Sequence, residues 1–324
     1  MDCRKCLIKL IYNKKKRGFK NLSFFLYYNF VLLIYYLYIC NINNKNKLNI
    51  LYDIMINIYK HTNCLKNVYV IGDVHGHFEI LQDLIKMRDY LNNCIIIVAG
   101  DSGFGFYSYD YYDEKMTELN MTLLENNIKV YFIRGNHDDP SYFEEQKIKF
   151  SNIETIPDYS IIQVGNDNIL CIGGGVSIDR IHRQERDNVQ YEMYKSIGMD
   201  NRFYPSYWEN ELPIYNNEKM DEIKENGIEI KYVISHTSPS FCFKVGMKGI
   251  EFFLDGDKDL TETLRIERQT MDMIYEHLKK DEHPLTKWVY GHFHAHNDDI
   301  IDNVRFITLQ NIEYGEDIHF LNQN

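Results

Sequence analysis

Two pairs of potential metal ligands share the same spacing in this sequence. Asp73 lies two residues before His75, and His292 lies two residues before His294. In an extended segment the two side chains of such a pair leave the backbone on the same side and can bind one cation. Histidine and carboxylate ligands together suit manganese, iron or zinc, and are too rich in nitrogen for a dedicated magnesium or calcium site. The full set of candidate ligands is Asp73, His75, Asp101, Asn136, His236, His292 and His294.

Each of these ligand clusters directly follows a predicted buried strand. Short apolar, β-rich runs predict strands at 68–71, 95–98, 130–133, 232–234 and 288–290. In open α/β sheets ligands bind beyond the carboxyl ends of the strands, so we expect the five clusters to converge on one crevice. One such motif alone would be a surface pair, a cap or a turn. Five in succession at strand ends indicate a metal site.

The elements that must position these ligands alternate along the body of the chain. Further strands are predicted at 169–172 and 304–307, and helices at 78–91, 112–127, 218–226 and 261–280. This alternation predicts a layered α/β architecture. The segment 177–217 interrupts it and is rich in arginine, aspartate, asparagine and aromatic residues. We expect a surface insertion or cap there, beside the site.

The charge is distributed unevenly along the chain. Residues 1–60 contain eleven Lys and Arg residues against two Asp residues, a net charge of +9, so residues 61–324 carry −20 of the total of −11. An acidic body of this size repels polyanions, so we expect no general nucleic-acid binding. The seven cysteines are scattered and odd in number, which favours a reducing compartment and a cytoplasmic location.

The N-terminal segment has two interpretations. A basic flank at 14–17 precedes an apolar run at 24–40, whose 17 residues are at the short limit for a membrane-spanning helix. The run is therefore either a membrane anchor or part of an extension upstream of the true initiator, Met55. On this basis we predict a basic, apolar N-terminal extension at 1–60 and a catalytic domain at 61–324.

The order of the ligand motifs, DxH, GD, GNHD, H and GHxH, resembles the calcineurin-like metallophosphoesterase superfamily over about residues 68–312. The resemblance implies a four-layer fold, with a central β-sandwich flanked by helices. It implies one metal ion bound by Asp73, His75, Asp101 and His294. It implies a second metal ion bound by Asp101, Asn136, His236 and His292. A hydroxide bridging the two ions would attack phosphorus, and His137 would protonate the leaving oxygen.

The second motif departs from the pattern of the Ser/Thr protein phosphatase and dinucleotide-polyphosphatase branch. That branch has GDxxDRG where this chain has GDSGFG, so the phosphate-binding arginine is missing and Phe104 replaces the second aspartate. His137 therefore needs another orienting partner, for which Asp138 is the candidate. Arg180 and Arg183 are candidates for substrate binding, since guanidinium groups bind phosphate bidentately. We expect Arg134 to be structural.

The leading hypothesis is a metallophosphoesterase with two divalent or trivalent metal ions, manganese being the metal expected in vitro. The substrate would be a phosphorylated small molecule, a nucleotide or a phosphoprotein. The segments at 173–180 and 207–211 are similar to small uncharacterised bacterial and phage phosphoesterases. The alternatives are a Ser/Thr protein phosphatase-like enzyme or a nucleotide polyphosphate hydrolase. A nuclease fits the acidic body poorly, and a catalytically silent scaffold would not retain all the ligand positions.

Overall fold

The structure, a computed structural model, describes residues 56–61, 65, 67–242, 250–313 and 318–322. The chain divides into two units, Met1–Met55 and Ile56–Asn324, and all of these residues belong to the second. The apolar run at 24–40 lies outside the described residues, so its role as an anchor stays a prediction. Within the described ranges, no helix has the length and apolar character needed to cross a membrane.

The described chain contains strands and helices in close alternation. The strands are β1 Ile58–His61, β2 Asn67–Ile71, β3 Cys94–Val98, β4 Lys129–Phe132, β5 Ile153–Thr155, β6 Ser160–Val164, β7 Asp167–Ile172, β8 Ile230–Ser235, β9 Lys287–Tyr290, β10 Asn297–Ile301, β11 Val304–Thr308 and β12 Ile318–Phe320. The helices are α1 Phe78–Met87, α2 Tyr109–Glu125, α3 Ser141–Glu144, α4 Arg180–Ser196, α5 Asn217–Glu225, α6 Ile250–Leu254 and α7 Leu260–Lys280, with a 3₁₀ turn at Asp200–Arg202.

These strands form two sheets. One has seven strands in the order β1-β6-β7-β8-β9-β11-β10, and the other has five in the order β12-β2-β3-β4-β5. In the smaller sheet β2, β3, β4 and β5 run parallel, and in the larger sheet β7, β8, β9 and β11 run parallel. The carboxyl ends of these strands therefore lie at one edge of each sheet.

The side chains of each strand alternate between two layers of core. Along β2, Val68 and Val70 pack with residues of the larger sheet, such as Ile234, in the core between the sheets. Tyr69 and Ile71 point the other way and pack with residues of α1 and α2. On the outer face of the larger sheet, residues of α5 and α7 cover Trp288 and its neighbours. Helices, sheet, sheet and helices thus form the four layers that the family resemblance implied, in keeping with the layered α/β architecture predicted from the alternation.

The seven predicted strands and four predicted helices are all present, with their ends displaced by a few residues. Five short strands were not predicted: β1, β5, β6, β10 and β12. The predicted domain boundary after residue 60 falls inside β1, which pairs in parallel with β6. Ile56 is also buried in the core beneath the larger sheet. The segment 56–61 therefore belongs with the body that follows it, because its residues are part of the sheet and core.

The predicted insertion at 177–217 contains α4 and the 3₁₀ turn, together with irregular segments. Asp187 is the one residue of α4 that is buried, and most of the helix is exposed. Toward its two ends the insertion is buried, unlike the exposed helix, since Ser177 and Glu211 both lie buried next to the ligand clusters.

Candidate active site

The two sheets bring the five ligand clusters together at their carboxyl edges. Asp73 follows β2 and Asp101 follows β3, while His236 follows β8 in the other sheet. A direct hydrogen bond joins the two edges, because Nδ1 of His236 lies 2.8 Å from the carbonyl oxygen of Ala99, which follows β3. The crevice predicted from the sequence is therefore formed where the two sheets meet.

The first group of ligands consists of Asp73, His75, Asp101 and His294. One ligand atom from each of these side chains lies within 4.8 Å of all the others. His294 Nε2 is 3.0 Å from His75 Nε2 and 2.9 Å from Asp73 Oδ2. Asp73 Oδ2 is buried and accepts no hydrogen bond of good geometry from the described residues. Nitrogen and oxygen lone pairs that face one another in this way fit a bound cation, so this group could hold a metal ion.

The second group is centred on His236, which is fully buried. Its Nδ1 donates to a backbone carbonyl, so in the neutral ring the lone pair is on Nε2. That nitrogen lies 2.9 Å from Asn136 Oδ1 and 3.2 Å from Asp101 Oδ1. Burial opposes a charge on this ring, yet Asp101 and Asp73 raise the pKa of His236 to about 10. The three atoms thus share one position for a positive charge, either a proton or a cation.

Asn136 is oriented by a chain of hydrogen bonds from the insertion. Its Nδ2 donates to Ser177 Oγ at 3.0 Å, which turns Oδ1 toward His236. Ser177 donates in turn to both carboxylate oxygens of Glu211, from its backbone nitrogen at 2.8 Å and from its hydroxyl at 2.7 Å. Burial raises the pKa of Glu211 to about 8. Neither residue was among the candidates that the sequence indicated for this site.

Asp101 lies between the two groups. Its Oδ2 is 3.9 Å from His75 Nε2, while its Oδ1 is 3.2 Å from His236 Nε2 and accepts the backbone N–H of His137 at 2.7 Å. Burial opposes ionisation, but His236, His137 and His75 hold the pKa of this carboxyl well below its usual range. Asp101 is therefore an ionised carboxylate with one oxygen directed toward each group.

Several of the ligands have a strained backbone. His75, Asp101, His292 and His294 all have φ between 47° and 67°, in the left-handed region that non-glycine residues seldom adopt. Such strain persists where the surrounding structure enforces it, typically at functional sites. Gly100 shows how closely the loops are packed, since a Cβ there would lie 2.3 Å from Nδ1 of His236.

His292 has a partner that the sequence analysis missed. Glu267, on α7, is buried, and its Oε1 lies 3.5 Å from His292 Nε2 and accepts the N–H of Val176 at 3.1 Å. Burial raises the pKa of Glu267 to about 7 and lowers that of His292 well below its usual value. Glu267 lies in a long amphipathic helix outside every motif, so its sequence context carried no signal of this contact.

Asp138 does not occupy the position that the sequence suggested. Its Oδ1 accepts the backbone N–H groups of Gly103 and Phe104, and its Oδ2 accepts those of Ser102 and Gly135. Each oxygen therefore has two donors at 2.7 to 3.1 Å. This geometry does not support the prediction that Asp138 orients His137, because the carboxylate is engaged in tying the Asp101 loop to the Asn136 loop.

The contact of His137 in this structure is with Arg183 instead. Nη2 of Arg183 is 3.1 Å from Nε2 of His137, and its Nε bonds Asp179 at 2.7 Å. Burial lowers the pKa of His137 to about 4, with Asp101 opposing this shift and Arg183 adding to it. Because a guanidinium can only donate, this contact requires an unprotonated Nε2. Of the two predicted substrate-binding arginines, Arg183 thus lies beside the candidate acid.

The other two arginines are committed elsewhere. Arg180 forms two hydrogen bonds with the buried carboxylate of Asp257, from Nε at 2.5 Å and from Nη2 at 3.0 Å. The prediction that Arg180 binds substrate is therefore not supported, since phosphate would have to displace this pair. Arg134 donates to Asp158 and to the carbonyls of the segment 210–212, the structural role that we expected.

A cleft of about 790 Å³ opens onto these side chains. Asp101, Asn136, His137 and His292 line one end, and residues of α6 and α7 line the other. The volume lies in the range typical of small-molecule sites, roughly 300–1,000 Å³.

Comparison with solved structures finds similar chains at low sequence identity. A dimetal phosphatase from Danio rerio is 12% identical over 77% of this chain and 88% of its own, with a TM-score of 0.43. A protein from Thermus thermophilus is 11% identical over 78% of this chain and 92% of its own, also with a TM-score of 0.43. The phosphopantetheinyl hydrolase of Mycobacterium tuberculosis is 12% identical over 81% and 98%, with a TM-score of 0.39.

The family comparison covers the whole ligand region. The model of the calcineurin-like phosphoesterases matches residues 66–296, more than half of the chain and all seven candidate ligands. The resemblance inferred from the motifs is thereby confirmed. The chain belongs to the calcineurin-like phosphoesterase family and is a metal-dependent hydrolase of phosphoric esters.

Proposed function

We propose that this phosphoesterase uses two metal ions. The observation that supports the proposal most directly is the position of Asp101, which directs one carboxylate oxygen toward each ligand group. A carboxylate in this position can bridge two cations that lie a few ångströms apart. Two cations held in this way would activate water and neutralise the charge that develops on the phosphoryl oxygens.

The ligands divide between the two ions as the family resemblance implies. Asp73, His75 and His294 would hold one ion and Asn136, His236 and His292 the other, with Asp101 shared. The polar partners around the ligands support this assignment. The Ala99 carbonyl fixes the His236 ring, and Ser177 fixes the Asn136 amide, so the ligand atoms are already oriented. The nitrogen-rich donor set favours manganese, iron or zinc.

His137 and Arg183 would act on the substrate side of this centre. In the free enzyme Arg183 donates to His137 Nε2, which holds that nitrogen unprotonated. A phosphate oxygen is a better acceptor for a guanidinium than a neutral ring nitrogen is. We therefore expect bound phosphate to take over Arg183 and release His137 Nε2, which could then carry a proton to the leaving oxygen. Burial and Arg183 both disfavour a protonated His137 ring. Removal of the Arg183 contact therefore helps His137 to take up the proton that it would pass to the leaving oxygen.

A phosphorylated small molecule is the substrate class that the cleft favours. A cleft of about 790 Å³ has room for one such molecule beside the phosphate. A cytoplasmic location fits the three cysteines that the structure describes, because Cys94, Cys171 and Cys242 are free and buried. The absence of general nucleic-acid binding remains a prediction, which rests on the acidic body.

The test is metal stoichiometry measured together with hydrolysis. The full chain would be stripped of metal and reloaded with Mn²⁺, Zn²⁺ or Mg²⁺. Bound metal would be counted by mass spectrometry, and p-nitrophenyl phosphate and bis-p-nitrophenyl phosphate would report turnover. We expect two equivalents in the native chain and one in the His236→Ala variant, with hydrolysis lost in Asp101→Asn.

The Arg180→Gln variant is a matched control, since it removes a charge close to the site but no candidate ligand. It should keep two equivalents of metal and its turnover. A native chain that saturates at one equivalent while turning over at its full rate would rule out the two-metal proposal.

A further inference from the structure

The cleft beyond the candidate ligands has an apolar wall. Val176 and Ile250 are buried there and pack on Leu260, while Leu254 and Leu264 are half-buried against them. Four of these five side chains, all except Leu260, line the same cleft as Asp101 and His292. The catalytic metal ions, which the family implies, need only the ligand end of this space. The apolar end is therefore free to receive another part of the substrate.

The apolar wall is continuous with the ligand site. Val176 immediately precedes Ser177, whose hydroxyl accepts from Asn136, and its own backbone N–H bonds Glu267. Leu264 lies three residues before Glu267 on α7, so both project from the same face of the helix. A group bound against Leu264 would thus lie about one helical turn from His292, the ligand that Glu267 contacts. One molecule can reach both ends.

The charges along this part of the cleft disfavour a polyanion. Among the lining residues that the structure describes, two carry guanidinium groups, Arg265 and Arg268. Arg265 pairs with Glu262, Nε to Oε2 at 2.7 Å. Arg268 donates to the carbonyl of Pro239 at 2.7 Å and lies over the ring of Phe293. Asp272 also lines this cleft and adds negative charge, whereas Asp179, which lines it too, is paired with Arg183. Both arginines of this part of the cleft thus already have partners, which disfavours a polyphosphate chain or an acidic phosphopeptide.

We propose that the substrate is a phosphate monoester of an apolar alcohol, whose hydrocarbon group lies against Val176, Ile250, Leu254 and Leu264. This proposal rests on the proposed function and specifies its substrate class. Hydrolysis breaks the bond between phosphorus and the ester oxygen and forms a bond between phosphorus and the oxygen of water. The ester oxygen leaves with a proton as a neutral alcohol, which the apolar wall accommodates without a counterion.

The experiment is a chain-length series with the full chain in Mn²⁺. The kcat/KM for phosphate release would be measured with n-alkyl phosphates from ethyl to decyl, below their micelle concentrations, and with p-nitrophenyl phosphate in parallel. Complete burial of a methylene corresponds to about a fourfold gain. In a cleft with one apolar wall we expect about twofold per methylene, or on the order of 50-fold from ethyl to octyl.

Two variants on α7 distinguish the effect of the apolar wall on the chain-length dependence from the general effect of a substitution on this helix. Leu264→Ser removes an apolar side chain from the wall, whereas Ile266→Ser removes an exposed one that does not line the cleft. The Leu264→Ser variant should flatten the chain-length dependence, so that the gain in kcat/KM from ethyl to octyl phosphate is largely lost. The Ile266→Ser variant should retain the native dependence.

Binding of non-hydrolysable alkylphosphonates, measured by calorimetry, distinguishes the two proposals. Turnover of p-nitrophenyl phosphate with no chain-length dependence would overturn the apolar substrate and leave the enzyme activity intact. A preference for ATP over octyl phosphate would overturn it as well. If no ester is hydrolysed, but octylphosphonate binds more tightly than ethylphosphonate and Leu264→Ser abolishes the difference, the apolar site stands and the proposed activity fails. Absence of both turnover and chain-length-dependent binding would refute both proposals.

Discussion

The carboxylate of Asp138 offers a direct test of what holds the two ligand loops together. It accepts four backbone N–H groups, two on each oxygen, at 2.7 to 3.1 Å, and it is fully buried. In an Asp138→Asn variant, Oδ1 can still accept two of them. The amide nitrogen cannot accept, so two buried N–H groups lose their partner and face a donor instead.

The expected loss of stability follows from these two groups. A buried donor left without a partner costs about 1–3 kcal/mol, so the two donors together should lower the free energy of unfolding of Asp138→Asn by roughly 2–6 kcal/mol. For a body of this size the melting temperature should fall by roughly 5–15 °C. Thermal and urea unfolding, followed by circular dichroism, would measure both quantities.

The neighbouring Asp139→Asn variant is the matched control. The Oδ1 of Asp139 accepts one N–H, from Ser141 at 2.9 Å, and an asparagine preserves that acceptor. This variant should therefore change the unfolding free energy by less than about 1 kcal/mol. The anchoring role would be refuted if Asp138→Asn unfolded like this control while its kcat collapsed. That pattern would show that Asp138 acts on His137, as the sequence alone suggested.

Three further predictions concern other contacts of the site. Arg183→Gln should raise the KM for p-nitrophenyl phosphate by roughly tenfold or more, because a charged contact with phosphate is lost. Arg183→Lys should lower the KM part of the way back. Steady-state kinetics would measure both values. Gly100→Ala should destabilise the chain by about 2–4 kcal/mol in an unfolding assay and lower its metal content, because the new Cβ collides with His236 and φ is +93°. The control Gly227→Ala has φ +65° and nothing within 4 Å of the new Cβ, so it should cost only about 1 kcal/mol in the same assay. Glu211 has a folded pKa of about 8, above its unfolded value, so its stabilising contribution is fully present below about pH 4.5 and falls by up to about 1.4 kcal/mol per pH unit toward pH 8. Glu211→Gln should therefore flatten the dependence of the unfolding free energy on pH over that window. An unchanged slope would contradict the assignment.

The ligand positions could be predicted because their signal is local. An apolar run that ends at a glycine and a metal-binding side chain specifies both the strand and its functional end, as at Asp101 after β3. The topology then follows from general rules for α/β sheets, so seven residues spread over more than 200 positions were expected in one crevice. The structure brings all seven to that edge of the two sheets.

Side-chain partners could not be predicted in the same way. Asp138 is adjacent to His137 in sequence, yet its carboxylate bonds the backbone of a different loop. Arg180 pairs with Asp257, which lies 77 positions away. Glu267 contacts His292 from the interior of a helix whose amphipathic pattern is explained equally well by packing alone. Neighbours in sequence are thus poor guides to partners in space when the chain reverses direction at every loop.

The short edge strands were missed for a related reason. The strand β10 contains Asp298 and Asp299 and is largely exposed, so its sequence has no apolar run. The strand β1 alternates exposed and half-buried residues and forms only by pairing with β6. Such strands are specified by their neighbour's free edge more than by their own composition. Their absence from the prediction did not affect the site, because the ligands follow the central strands.

The insertion at 177–217 has a larger part in the site than its exposed helix suggests. Its first residue, Ser177, accepts the Asn136 amide, and Glu211 near its other end holds Ser177 by two hydrogen bonds. Arg183, within it, contacts His137. The exposed middle of the insertion is free to vary, since α4 buries only Asp187. The ends are not free, because the Asn136 amide would lose the contact that turns its oxygen toward His236. The insertion is therefore an integral wall of the active site, and its removal should cost metal affinity before it costs the fold.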